Sequence, residues 1–546
     1  MPSKSRGADA LVASLSAAKV RRIFALSGNH VMPVFDAAID AGIELIHVRH
    51  EAAAVHMADA WARLTGEAGA ALVTGGPGHA NAVGALYTAA MAESPVVLLS
   101  GHAPHDEMGR GAFQEMRQAD IAAPLCKSSW TCRAAAEVAL DVEKAISIAK
   151  GGRPGPVHVS LPTDVLEGRT ADESGRARPE NDLRQVDRMP AAELDPAPIL
   201  ERLKKAQRPL ILCGPAAGTK RGRERLRVLE VAIGVPAVCM ESPRGVADPS
   251  LGAFAQMLAR ADCILLLGKR LDFTLKFGRA PALAADCEFI QLDADDEEIA
   301  RTRHAVGGRL AHSATVPLFE ALQVLSDHAL RSSSAKSSWY DEVRSAIDFR
   351  PAEWDKAMST LPGRLHPVQA LRPLQALLDA HPDSVFVCDG GEFGQWAQAC
   401  LRAPHRVING VAGAIGPGLP FAVAARLAKP HAPVIAAMGD GTFGFHAAEI
   451  DTAVRYGLPF IAVVGNDARW NAEHQIQLRA YGAERAIGTD LLPSRYDDVS
   501  KGFGGYGERV TDPGQLLAAA RRGVDSGLPA VLNVAIEGMA APDVKQ

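Results

Sequence analysis

The sequence predicts an α/β protein built on three doubly wound parallel sheets. Three observations predict it. Short apolar runs rich in Val, Ile and Leu recur along the whole chain. Longer stretches with Ala and Leu at helical spacing separate them. The alternation restarts twice, each time after a polar stretch. Strands buried on both faces read as unbroken apolar runs, and strand–helix alternation makes a parallel sheet covered on both sides. The 546 residues suit roughly three domains at about 100–200 residues each.

The first segment, 1–180, carries strand candidates IFAL (23–26), LIHV (45–48), AALV (70–73), VVLL (96–99) and VHVSL (157–161). Between them, EAAAVHMADAWARLTG (51–66) has helical spacing. A polar, Pro-containing stretch at 168–197 reads as a linker. The second segment, 181–335, has strands at RPLILCG (208–214), CILLLG (263–268) and FIQLD (289–293). The third, 336–546, opens on a polar, helical connection and continues with SVFVCDG, PVIAAMGDG, FIAVVGND and AVLNVAI. No short-period repeat interrupts the pattern.

Composition excludes several classes. A chain that is 47% hydrophobic and 22% charged builds large cores and is neither disordered nor fibrous. A net charge of −5 argues against nucleic acid as a partner. No apolar run reaches the roughly 18 residues of a membrane span, and the first twenty residues lack a signal-peptide core. The eight cysteines include no CxxC pair, which fits reduced thiols and a cytoplasmic location.

The most specific chemical signal is MGDGTFGF (438–445), which follows a strand and opens a helix. A second strand then ends at Asn466-Asp467. Oxygen ligands at neighbouring strand ends, Asp440 and Asp467, suit Mg²⁺ shared with a phosphate. Gly439 and Gly441 let the backbone approach a diphosphate, and the helix start at Thr442 adds N–H donors. Alone, a GDG is also an ordinary turn.

This arrangement resembles the thiamine-diphosphate signature, a GDG followed at a fixed distance by an Asn pair. Further blocks resemble the acetolactate synthase, benzaldehyde lyase and 2-hydroxyacyl-CoA lyase group. They are VRHEAAA (48–54), VTGGPGHANAVGAL (73–86), GAFQEMRQ (111–118), RPGPVHVSLPTDVL (153–166) and GVAGAIGPGLPFAVAA (410–424). The resemblance implies two cofactor-binding domains flanking a Rossmann-like middle domain. It implies a homodimer or homotetramer with active sites at subunit interfaces and a small-molecule substrate.

The same resemblance assigns residues. Glu51 would hydrogen-bond the cofactor's pyrimidine and drive its activation by general acid–base catalysis. Gly76, Pro77 and Gly78 would form a turn beside the pyrimidine, with Asn81 and Gln114 near the reacting atoms. Ile415 would wedge between the two cofactor rings, and the Gly413 carbonyl would accept from the amino group. The diphosphate would rest on Gly391, Gly439, Gly441 and Thr442, with Mg²⁺ at Asp440, Asp467 and the backbone of Arg469. Asp467 departs from the usual Asn. His30 matches an active-site histidine that moves a proton to or from a substrate hydroxyl.

The reaction class follows from departures. Thr274, in GKRLDFTLKFG (268–278), stands where acetolactate synthases have an arginine for the substrate carboxylate. Ile476 stands where they have a tryptophan. Thr163 and Gly394 replace a pocket tryptophan and tyrosine, which predicts a wider or more polar pocket. The block resembles that of 2-hydroxyacyl-CoA lyases and oxalyl-CoA decarboxylases, so a nucleotide portion of ADP, CoA or FAD would sit in the middle domain near Asp293. The expected activity is a lyase or carboligase acting on a 2-hydroxy ketone or 2-hydroxyacyl-CoA. The alternative is non-oxidative decarboxylation of a 2-oxoacid or oxalyl-CoA, or an acetolactate synthase-like activity.

Overall fold

The computed structural model describes residues 5–170, 194–330 and 337–546. Most of the stretch 168–197, read above as a linker, lies outside the described residues. By proximity the chain forms two compact units, 1–188 with 423–428 and 451–456, and the remainder. Three all-parallel sheets give the α/β architecture that the alternation of strands and helices predicts.

The first unit holds β1 (Arg22–Ala25), β2 (Glu44–His47), β3 (Gly69–Val73), β4 (Val96–His102), β5 (Ser128–Thr131) and β6 (Val157–Pro162). Their order is β2-β1-β3-β4-β6-β5. Strands β3, β4 and β6 are buried throughout, hence their unbroken apolar reading. Leu15, Ile23, Val34, Leu72, Leu99 and Val159 are fully enclosed in one cluster, and each such side chain stabilises the fold by about 1.5–3 kcal/mol. Two crossover helices position the site. Glu51–Thr65 is capped by His50, whose ring accepts from the Ala52 amide, and ends at Gly66 in the left-handed region. Pro77–Met91 begins with its proline in the first turn, where a missing N–H costs nothing.

The second unit carries two sheets. One holds β7 (Pro209–Cys213), β8 (Ala237–Cys239), β9 (Cys263–Leu267), β10 (Glu288–Asp293) and β11 (Leu310–Thr315) in the order β11-β10-β9-β7-β8. Helix Ser338–Asp348 packs Trp339, Val343 and Ala346 into the cluster beneath this sheet. The Trp339 indole donates to the Pro209 carbonyl at 2.9 Å.

The other sheet holds β12 (Val385–Cys388), β13 (His405–Ile408), β14 (Val434–Gly439), β15 (Ile461–Asn466), β16 (Tyr506–Val510) and β17 (Ala530–Ala535). Its order, β13-β12-β14-β15-β17-β16, reverses direction between β12 and β14. Ligands of open α/β sheets bind outside the carboxyl ends of strands at such a switch point. Strands β14 and β15 pair with Gly439 opposite Gly465, so Asp440 and Asp467 leave the same end of the sheet.

The sequence reading misses β5, β8, β11, β13 and β16. All five lie at sheet edges. Strands β5 and β11 are only half-buried along their whole length, so they carry no apolar run. Among the described residues, no helix is long and apolar enough to cross a membrane, and all eight cysteines are free thiols.

Candidate active site

In the first unit the residues singled out from sequence converge. Glu51 is 8% exposed at the start of its helix. Asn81, one turn into the neighbouring helix, donates Nδ2 to Glu51 Oε2 at 3.0 Å. Gly76 adopts φ +57°, and its amide donates to Gln118 Oε1 at 2.8 Å. A β-carbon on Gly78 would lie 2.7 Å from Thr74 Cγ2 and 3.4 Å from Glu51 Oε1, so only glycine leaves this turn open. Gln114 is held at φ +58° against Gly76, and its buried Oε1 has no hydrogen-bond partner. A buried orphan acceptor at this glycine turn suits an incoming polar group.

His30 is 4% exposed. Its Nδ1 lies 3.1 Å from Thr74 Oγ1, and its ring stacks on Phe113 at 6.0 Å. Burial, with the nearby His102 second, holds it below the ordinary histidine value, so it is neutral near pH 7. Thr163 Oγ1 donates to the His102 carbonyl at 3.0 Å.

In the second unit a cavity of about 160 Å³ opens at the switch point. Nine residues of the sequence reading line it: Gly391, Gly413, Ile415, Gly439, Asp440, Gly441, Thr442, Asp467 and Arg469. Asp440 and Asp467 are 2% and 8% exposed, and Asp440 Oδ2 and Asp467 Oδ1 have no hydrogen-bond partner. Burial raises both carboxyls, and the Asp440 charge raises Asp467 further. Two desolvated carboxylates facing one cavity suit a divalent cation with a phosphate. Ala468, at φ +61°, turns the chain so that the Ala468 and Arg469 amides reach Asp440. The Arg469 guanidinium points instead to Asp490, 3.1 Å away.

Glycines shape the cavity. Gly391, at φ +79°, and Gly439 have open space where a side chain would stand. A β-carbon on Gly441 would meet the Trp470 ring at 2.6 Å. Ile415 Cγ2 would lie 2.5 Å from one on Gly390, so the isoleucine projects over the chain that leads into Gly391.

Sequence reasoning missed three groups here. Asp389, fully enclosed, accepts from the Gly390, Gly416 and Gly418 amides at 2.6, 3.1 and 2.8 Å. It ties the Gly391 turn to the Ile415 loop, although burial pushes its carboxyl up to about 6. Gln118 donates to Gly101 O and Ser160 Oγ while holding Gly76. The buried Glu392 pairs with Arg244 at 2.5 Å. The strand-end DGG was the available signal for Asp389; the other two depend on contacts between distant segments.

One expectation changes. Gly394 does not mark a vacated pocket position: a β-carbon there would lie 2.0 Å from the Asp389 carbonyl, so no side chain fits. Asp293 caps its own loop, accepting from the Asp295 amide at 3.1 Å. Thr274 is buried, accepts from Lys269 Nζ at 2.7 Å and donates to Asp272. Ile476 is exposed.

A strand-end acidic pair beside a glycine cradle suits a diphosphate-bearing ligand, and the family comparison gives the class. The N-terminal TPP binding domain of thiamine pyrophosphate enzymes matches residues 5–121. The central domain matches 197–316 and the C-terminal TPP binding domain 389–534. The chain belongs to the thiamine pyrophosphate enzymes. It is 32% identical to 2-hydroxyacyl-CoA lyase 2 of Bos taurus, across 98% of this chain and 90% of that one. It is 31% identical to a probable acetolactate synthase of Mycobacterium bovis, across 98% and 96%. A thiamine diphosphate-dependent 4-hydroxybenzoylformate decarboxylase of Rhodococcus jostii RHA1 has the same fold. Its TM-score is 0.80 at 21% identity, covering 98% of this chain and all of that one.

Proposed function

We propose that the protein is a Mg²⁺-dependent thiamine-diphosphate lyase or carboligase. It acts on the C–C bond next to the carbonyl of a 2-hydroxyacyl-CoA or 2-hydroxy ketone. The observation that carries this reading is His30: buried, neutral and anchored through Nδ1 to Thr74. Such a base can take the proton of a substrate hydroxyl, which must leave as the C–C bond beside it breaks. Gln114, next to the stacked Phe113, offers an amide to the substrate oxygen.

The bound cofactor supplies a carbon nucleophile and an electron sink. Glu51 holds and releases the proton that governs its activation, and Asn81 fixes the rotamer of that carboxylate. Asp440 and Asp467 would hold Mg²⁺, while Thr442 and the glycine amides would hold phosphate oxygens. Ile415 and the Gly413 carbonyl, both in the cavity lining, would contact the bound cofactor and orient it. This reading includes a homodimer or homotetramer, which sedimentation velocity measures directly.

A second reading, non-oxidative decarboxylation of a 2-oxoacid or oxalyl-CoA, is favoured by Arg244. Its half-exposed guanidinium beside Glu392 could hold a carboxylate. Turnover of a 2-hydroxyacyl-CoA, benzoin, pyruvate and oxalyl-CoA separates the two. Aldehyde and shortened acyl-CoA without CO₂ support the first reading; CO₂ release sinks it.

A further inference from the structure

A second cavity, about 340 Å³, lies in the unit that carries the middle and third sheets. It is lined by helix Lys220–Ile233, the segment after β8 and the end of helix Gly391–Cys400. That last helix begins at the cofactor cavity and ends here.

Arginines outnumber carboxylates at this cavity, even with the buried Asp248, which also lines it and accepts from the Ser250 amide at 2.8 Å. Arg344 is paired with Glu230, and Arg406 with Glu241 at 3.1 Å. Arg402 is paired with Asp348 at 2.7 Å. Arg223 has only carbonyl partners, Gly218 and Pro404. Arg227, one turn further along the same helix face, has no hydrogen-bond or ion-pair partner among the described residues. Positions four apart on a helix point the same way, so two arginines without carboxylates face the cavity together.

A second observation is independent of charge. Gln398 lines the cavity and is 1% exposed. Its Oε1 accepts from Arg406 at 2.9 Å, but its Nε2 has no hydrogen-bond partner. Ser250 Oγ, also in the lining, is likewise buried and unpartnered. Buried polar groups are left open where a ligand or water completes them. Here the open groups are two donors beside an excess of guanidinium.

We propose that this cavity binds a small dianion, a dicarboxylate or phosphate ester, with Arg223 and Arg227 on its charges and Gln398 Nε2 at its inner end. Bidentate guanidinium–oxyanion pairing supplies the strength and the buried amide the register.

Calorimetric titration of the full chain, with thiamine diphosphate and Mg²⁺ present, tests this with malonate and separately with inorganic phosphate. Saturable binding of either supports the site, and the stronger one identifies the source class. Arg227→Ser, on an exposed helix face, should weaken binding by at least about tenfold. Gln398→Leu should do the same with an unchanged melting curve. Absence of saturable binding of both probes overturns the proposal, and so does unaltered affinity in Arg227→Ser.

Discussion

Asn81 and Glu51 meet across two packed helices, amide to carboxylate at 3.0 Å. The contact fixes one carboxylate oxygen while the other faces the Gly78 turn. Glu51→Gln keeps the shape but removes the proton relay. It should lower kcat by about 10²–10⁴-fold while thiamine diphosphate still binds. Asn81→Ala should cost roughly tenfold, through lost positioning. Stopped-flow turnover with parallel cofactor titration measures both.

Asp440 and Asp467 repel each other when no cation is bound. Asp467→Asn removes that repulsion. It should raise the melting temperature of the metal-free protein and shrink the further rise that Mg²⁺ with cofactor produces. Differential scanning calorimetry reads both quantities. A lowered metal-free melting temperature would show that the carboxylate is stabilising by itself.

His30→Gln should reduce C–C cleavage by about 10²-fold with cofactor affinity within a factor of about two, since the proposed role lies in proton transfer. An equal loss in cofactor affinity would return His30 to a packing role.

His79 is fully enclosed, with Nδ1 on Ser100 Oγ at 2.9 Å, and its ring packs on the equally buried His158. Burial lowers His79 from 6.5 to about 4 and also lowers His158. A histidine with a depressed folded value is neutral when folded and protonated when unfolded. Its contribution is therefore complete above pH 6.5 and is lost as pH falls toward 4. The loss from His79 is on the order of 3 kcal/mol. Urea denaturation at pH 7.5 and pH 5 should show a lower midpoint at pH 5, with a smaller difference in His79→Gln.

Apart from the edge strand β2, read from its apolar Leu45 and Ile46, the strands legible in the sequence were interior strands of their sheets. An edge strand such as β11 has half-buried residues throughout, so pairing rather than apolar content makes it a strand. The candidate site was legible where a motif sits at a strand or helix end, as Asp440 and Glu51 do. The reading went wrong at Gly394 because only coordinates reveal that Asp389 O fills the space a side chain would need. Arg244 and Glu392 stand 148 residues apart in sequence, and nothing local to either marks the pair.

Trp470 lies edge-on to Phe445, with ring centres 6.2 Å apart, and packs over Gly441 in the lining of the candidate cofactor cavity. Among the chain's six tryptophans it is the one in that lining. The indole is thus a built-in optical gauge. Its emission should change when the cavity fills, so loading and escape can be timed on unlabelled protein. A biphasic trace would expose two populations of cavity that fill at different rates, a distinction that bulk turnover averages away.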